Sequence, residues 1–182
     1  MSFWKPEVLE PKSRREYRTL GWAAGLGVVV LVLDQLTKFI VMRRFELGES
    51  LPIWQPFFSL TYVRNEGAAW SILSGHGWFL LLVALVVAAG VIFFFRRLAE
   101  GYPERYFALL LVLSGVAGNS IDRLWLGAVV DFLDFHWYDR FRWPVFNVAD
   151  IAICVGVALF ILSTLLRPSK KKESGEDSPQ ET

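Results

Sequence analysis

The sequence carries little of what several common chemistries require. Its one cysteine, Cys154, excludes an intramolecular disulfide; it lies in an apolar run, where a buried, inert thiol is expected. Two histidines, His76 and His136, with no Cys/His ligand spacing, argue against a zinc site, and no metal or other cofactor is expected. No G-x-S-x-G elbow with an evident base is present, so serine-hydrolase chemistry has no carrier. A net charge of +1 leaves no basic field for nucleic acid. The two long polar connections share no motif that aligns, which argues against an inverted-repeat transporter.

The chain does have apolar length. Hydrophobic residues make up 54% of its 182 positions, above the ordinary soluble share, and they are gathered into long runs. The expected fold class is therefore an all-α membrane protein with four transmembrane helices, at about 20–42, 78–95, 105–121 and 148–166. The first run passes directly from Met42 into Arg43 and Arg44 with no small-residue cleavage site, so it reads as a retained span rather than a signal peptide. Residues 1–17 read as a basic tail, 18–167 as one membrane domain, and 168–182 as a disordered tail of Lys, Glu, Ser, Pro and Gln.

Lysine and arginine fix the orientation. Twelve fall on the side of the two termini and the 96–105 connection, six on the side of the 43–77 and 122–146 loops, and Lys38 lies within the first span. The positive-inside bias then puts both termini in the cytoplasm and both long loops outside. Trp54, Trp70, Trp78, Trp125, Trp137, Tyr138 and Trp143 fall near that outer face, as an interfacial belt does. Within the first loop, FFSLTYVR (57–64) reads as a short strand, Asn65-Glu66-Gly67 as a turn, and AAWSIL (68–73) as a short amphipathic helix.

Polar residues beside these spans are costly and therefore informative. Asp34 and Lys38, four residues apart, can pair on one helix face. Gly115, Asn119 and Arg123 recur at four-residue spacing on one face of the third span, with Asp122 adjacent; helix packing through Gly115 is the plain alternative. Asn147 and Asp150 have the spacing of a capping box at the start of the fourth span, and the helix dipole favours Asp150 as a carboxylate. Asp131, in AVVDFLDF, is flanked by apolar residues, and desolvation favours its protonated form. Asp134 and Asp139 read instead as water-exposed loop acids. Two carboxylates from different elements, one favoured ionised and one protonated, can share a proton and activate water against a carbonyl, the arrangement of aspartic proteases. Two other readings remain open: a magnesium-dependent lipid phosphotransferase built on Asp122, Asp131 and Asp134, and a non-enzymatic proton-coupled carrier.

Five segments, DQLTK (34–38), NEGAAW (65–70), SGVAGNSIDR (114–123), VVDFLDFHW (129–137) and FNVADIAICVG (146–156), stand in an order and spacing that resembles the bacterial lipoprotein signal peptidases, or signal peptidase II. The resemblance implies an aspartyl endopeptidase of the plasma membrane, a monomer, that cuts diacylglyceryl-modified prolipoproteins just before the lipidated cysteine. It implies membrane lipid and the inhibitor globomycin as further partners. By motif it implies Asp131 and Asp150 as the catalytic pair. Asn65, Gly115, Asn119, Arg123 and Asn147 become substrate-contacting positions, and Asp34, Lys38 and Asp122 supporting ones. It also implies a small β-cradle and an interfacial helix in the first outer loop. Ser114, Ser120 and Trp70 depart from the family's usual residues, none of them in the pair.

Overall fold

The computed structural model describes residues 13–67, 75–138 and 141–167. In chain order the elements are α1 (Arg14–Arg44), β1 (Ser50–Trp54), β2 (Phe58–Asn65), α2 (Gly77–Phe93), α3 (Phe95–Ala99), α4 (Pro103–Leu126), β3 (Val129–Trp137), β4 (Phe141–Arg142) and α5 (Val148–Leu166). Three of these, α1, α4 and α5, are long and apolar enough to cross a membrane. The second predicted span is divided: α2 has 17 residues, and α3 resumes after Phe94. Leucine, valine and isoleucine side chains along α1, α2 and α5 are exposed in large numbers. In water such a surface would be an aggregation liability; against lipid it is the favoured one.

The helix ends follow local chemistry. Ser13 and Glu16 form a capping box, so α1 starts at Arg14 and takes in residues expected to belong to the loose tail. α4 runs past the expected 121 to Leu126, where Gly127 closes it in the left-handed conformation at φ 73. Asp122 and Arg123 are therefore helical. α4 is the central helix, packed against α1, α2 and α5. Its approach to α5 depends on glycine. A Cβ at Gly156 would lie 2.6 Å from the Ala108 carbonyl oxygen, which is backbone and cannot yield. Such close seams stabilise helix pairs in lipid, where burial from water supplies no driving force. Gly156→Ala should cost about 1–3 kcal/mol through overpacking, read as a lower thermal midpoint in detergent; an unchanged midpoint would contradict the packing argument.

At one end of the bundle lies a four-stranded antiparallel sheet in the order β1-β2-β3-β4. The expected β-rich cradle is present, but it draws on both connections, since β3 and β4 come from 129–142. The fold is thus mostly helical with a small sheet rather than all-α. VVDFLDFHW is rich in β-branched and aromatic residues and supplies the partner that β2 needs. Between the pairs Leu60↔Leu133 and Val63↔Asp131, three steps of β2 match two of β3, a bulge. Tyr62, Val130 and Phe132 pack with Val41 of α1 into a core that seats the sheet on the helix ends. The expected interfacial helix, 68–73, lies outside the described residues, as do Trp70, Asp139 and both tails beyond 13 and 167.

Two expectations are overturned. Asp134 is no exposed loop acid: it is fully buried and bonded by Thr61 and by both Nε and Nη2 of Arg142. Alternation along β3 turns it to the face opposite Asp131. Burial alone would raise its carboxyl, but Arg142 and Thr61 outweigh burial and hold it below the usual range. Cys154 is exposed, because it sits on the flank of α5 that lines a cavity and not on the seam with α4.

Candidate active site

The polar residues singled out in the sequence meet where the sheet joins α1, α4 and α5. Asn147 is the N-cap of α5, and its side chain accepts from the Asp150 N–H at 2.9 Å while the Asp150 carboxylate accepts from the Asn147 N–H at 3.1 Å. The capping box therefore fixes Asp150 as well as starting the helix. Asp131, on β3, is 2% exposed. One of its oxygens accepts from the Asn147 amide at 2.7 Å, the other from the Asn65 amide at 3.0 Å. Asp150 accepts on its other oxygen from the Asn119 amide at 2.8 Å. Asn147 also donates to the Asn119 side-chain oxygen at 3.1 Å, so the two asparagines link the carboxylates across their backs.

Behind this layer Lys38 is buried, and its ammonium has three acceptors: Asp34 at 2.9 Å, Asp122 at 2.8 Å and the Asn119 side-chain oxygen at 3.0 Å. An ammonium has three protons, so its donors are matched. The expected Asp34–Lys38 pair is present, and Asp122 makes it a triad. Each carboxylate of the triad also grips backbone. Asp34 accepts from the Ala149 N–H at 2.8 Å, and Asp122 accepts from the Val130 N–H at 3.1 Å. Ala149 precedes Asp150 and Val130 precedes Asp131. The triad thus holds both aspartate-bearing segments by the residue just before each aspartate. Gln35, not singled out in the sequence, bridges Asp34 and Asp122. Its place inside an apolar run was the available signal. At Gly118 the missing side chain makes room for this cluster, since a Cβ there would stand 2.5 Å from an Asp34 oxygen.

Asp131 and Asp150 face one cavity of about 460 Å³, shared with Asn65, Asn119, Arg123 and the apolar side chains of Val129, Phe146, Ile151 and Val155. Arg123 donates to the Gly67 carbonyl at 3.1 Å, and its Nε has no partner among the described residues. Gly115 is not on this wall; it lies on the seam where α4 meets Ala149 and Ile153. Burial, then the charge of Asp150, pushes the Asp131 carboxyl up to about 7, against the opposing hydrogen bonds of Asn65 and Asn147 and the charge of Lys38. Near neutral pH the pair can therefore hold one proton between them, with one carboxylate as base and one carboxyl as acid. The three aspartates of the magnesium reading are kept apart by their partners: Asp122 is tied to Lys38, Asp131 to two asparagines, and Asp134 to Arg142 on the far face.

Comparison with known proteins gives a consistent result. The family model described as signal peptidase (SPase) II matches residues 26–166. A lipoprotein signal peptidase of Bacillus pumilus (strain SAFR-032) is 41% identical over 149 residues, 82% of this chain and 96% of the relative. One of Geobacter metallireducens is 47% identical over 140 residues, 75% of this chain and 86% of the relative. A solved structure described as a bacterial membrane enzyme superposes with a TM-score of 0.75 at 35% identity, covering 86% of this chain and 95% of that one.

Proposed function

The chain belongs to the signal peptidase II family of membrane proteases, whose named relatives process prolipoproteins, and from that premise we propose that it works as an aspartyl endopeptidase with Asp131 and Asp150 as the catalytic pair. The observation that carries this reading is the pair itself: two carboxylates from separate elements, facing one cavity and linked behind by Asn119 and Asn147. Asp150, accepting two hydrogen bonds, takes a proton from water. The water oxygen attacks the scissile carbonyl carbon. Asp131 donates its proton to the developing oxyanion. Collapse of the tetrahedral intermediate breaks the C–N bond, and the amine leaves with a proton from the pair. Asn65 orients Asp131, and Asn65 and Arg123 wall the cavity in which the substrate backbone would lie.

The substrate we assign is a diacylglyceryl prolipoprotein, cut just before the lipidated cysteine. The apolar wall along α5 suits acyl chains still in lipid. In this reading α2 with α3 completes four spans, the termini are cytoplasmic, and the site lies at the outer interface of the bacterial plasma membrane, as the lysine and arginine counts favour. The test is cleavage by the purified protein of matched lipidated and unlipidated prolipoprotein, with the products weighed. Cleavage elsewhere than before the cysteine, or equal cleavage of both substrates, would sink the assignment.

A pH profile follows from the raised Asp131. A group that must hold a proton fails as pH rises through its pKa, so kcat/KM should fall above about pH 7. The Asn65 hydrogen bond favours the ionised form of Asp131. Asn65→Ala should move this alkaline limb to higher pH while lowering the maximal rate; a limb that stays in place would remove Asp131 as its source.

A further inference from the structure

Asp131 and Asn65 wall a second cavity as well as the first. The second, about 510 Å³, lies over the sheet and shares the 143–145 rim with the first. The two differ in chemistry. The first runs along α5 past Ile151, Cys154 and Val155. The second is lined by Thr61, Arg64, Glu66 and Arg142 beside Val63. Because the two meet at Asp131, a chain whose scissile carbonyl sits at the pair can lay one flank in each. The acyl chains and the apolar signal segment fit the first. The polar flank suits the second.

We infer that this sheet-side cavity is the subsite for the water-soluble chain following the lipidated cysteine, and that Arg64 makes it favour acidic over basic side chains there. The inference rests on the proposed function. Arg142 already spends its charge on Asp134. Arg64 has no carboxylate partner among the described residues. It is nonetheless held in place: its Nε donates to the Tyr62 hydroxyl at 2.9 Å, and its guanidinium stands 6.0 Å from that ring's centroid. A cation so oriented loses little side-chain freedom on meeting an anion. Glu66 stands on the same wall, so the preference reads the balance of the two charges, with Arg64 the one whose orientation is set by Tyr62.

The experiment uses two diacylglyceryl prolipoproteins identical except for aspartate or lysine at the two positions after the cysteine. It reads the ratio of their kcat/KM values, which does not depend on the fraction of enzyme folded. Wild type should favour the aspartate substrate by roughly two- to fivefold, the range of an exposed ion pair. Arg64→Lys should keep the preference, and Arg64→Glu should reverse it. A ratio near one in wild type, or the same ratio in wild type and Arg64→Glu, overturns the subsite. Asp131→Asn is run alongside: cleavage surviving there overturns the catalytic reading instead, whatever Arg64 does.

Discussion

Asp131→Asn and Asp150→Asn should each lower turnover of a lipidated prolipoprotein by about 100- to 10,000-fold, the share that positioned acid–base groups contribute. The two substitutions are not equivalent in the fold. Both oxygens of Asp131 accept from side-chain amides, Asn65 on one and Asn147 on the other. An amide in that place turns an N–H₂ towards a donor, so one bond is lost and a buried donor is left unmatched, at about 1–3 kcal/mol. At Asp150 the same exchange sets an N–H₂ against either the Asn119 amide or the Asn147 N–H. Thermal midpoints should therefore accompany the rates. A variant that melts like wild type and has lost its activity isolates the chemistry. Retention of more than a tenth of wild-type turnover in either variant would end the case for the pair.

Lys38→Met should destabilise the protein by about 3–5 kcal/mol, the cost of removing one partner from a buried ionic cluster. Asp34 and Asp122 would be left facing each other without their cation, and the Asn119 oxygen would lose a donor. Adding Asp34→Asn and Asp122→Asn to Lys38→Met removes the stranded charges. An asparagine can still accept from the Ala149 and Val130 N–H groups. The triple variant should consequently be more stable than the single one, despite carrying more changes. Unfolding in detergent, followed by heat and by protease susceptibility, reads both. A single variant as stable as wild type, or a triple variant weaker than the single, would contradict the cluster's role.

The sequence carried the helices well because each is written in one continuous apolar run. The α5 boundaries, 148–166, coincide with expectation because a capping box and Pro144 mark the start. The Asp34–Lys38 pair and the Asn147–Asp150 cap were legible for the same reason, since both are set by local spacing. What was not legible depends on elements far apart in the chain meeting. Asp122 joins Lys38 only because α4 crosses α1, and Asn119 bridges to Asn147 only because α4 meets the start of α5. β3 was missed because its acidic residues drew it towards loop chemistry, and because a strand covered on both faces, buried at four consecutive positions, shows no alternation to read. Asp134 was misread with it: a carboxylate's surroundings depend on the face of the sheet it occupies, and nothing local to Asp134 revealed Arg142 and Thr61 as its partners.

The hydrogen bond from Ala149 to Asp34 joins residues 115 apart, the first helix to the last. Contacts of such span form late, after the intervening chain is in place. During biosynthesis, therefore, a ribosome that has delivered α1 through β3 has made most of the fold but, in the proposed mechanism, only half of the catalytic pair. The aspartate on β3 is already present, but its partner and the segment that orients both arrive together with the final helix. In the proposed mechanism, cleavage therefore waits for α5.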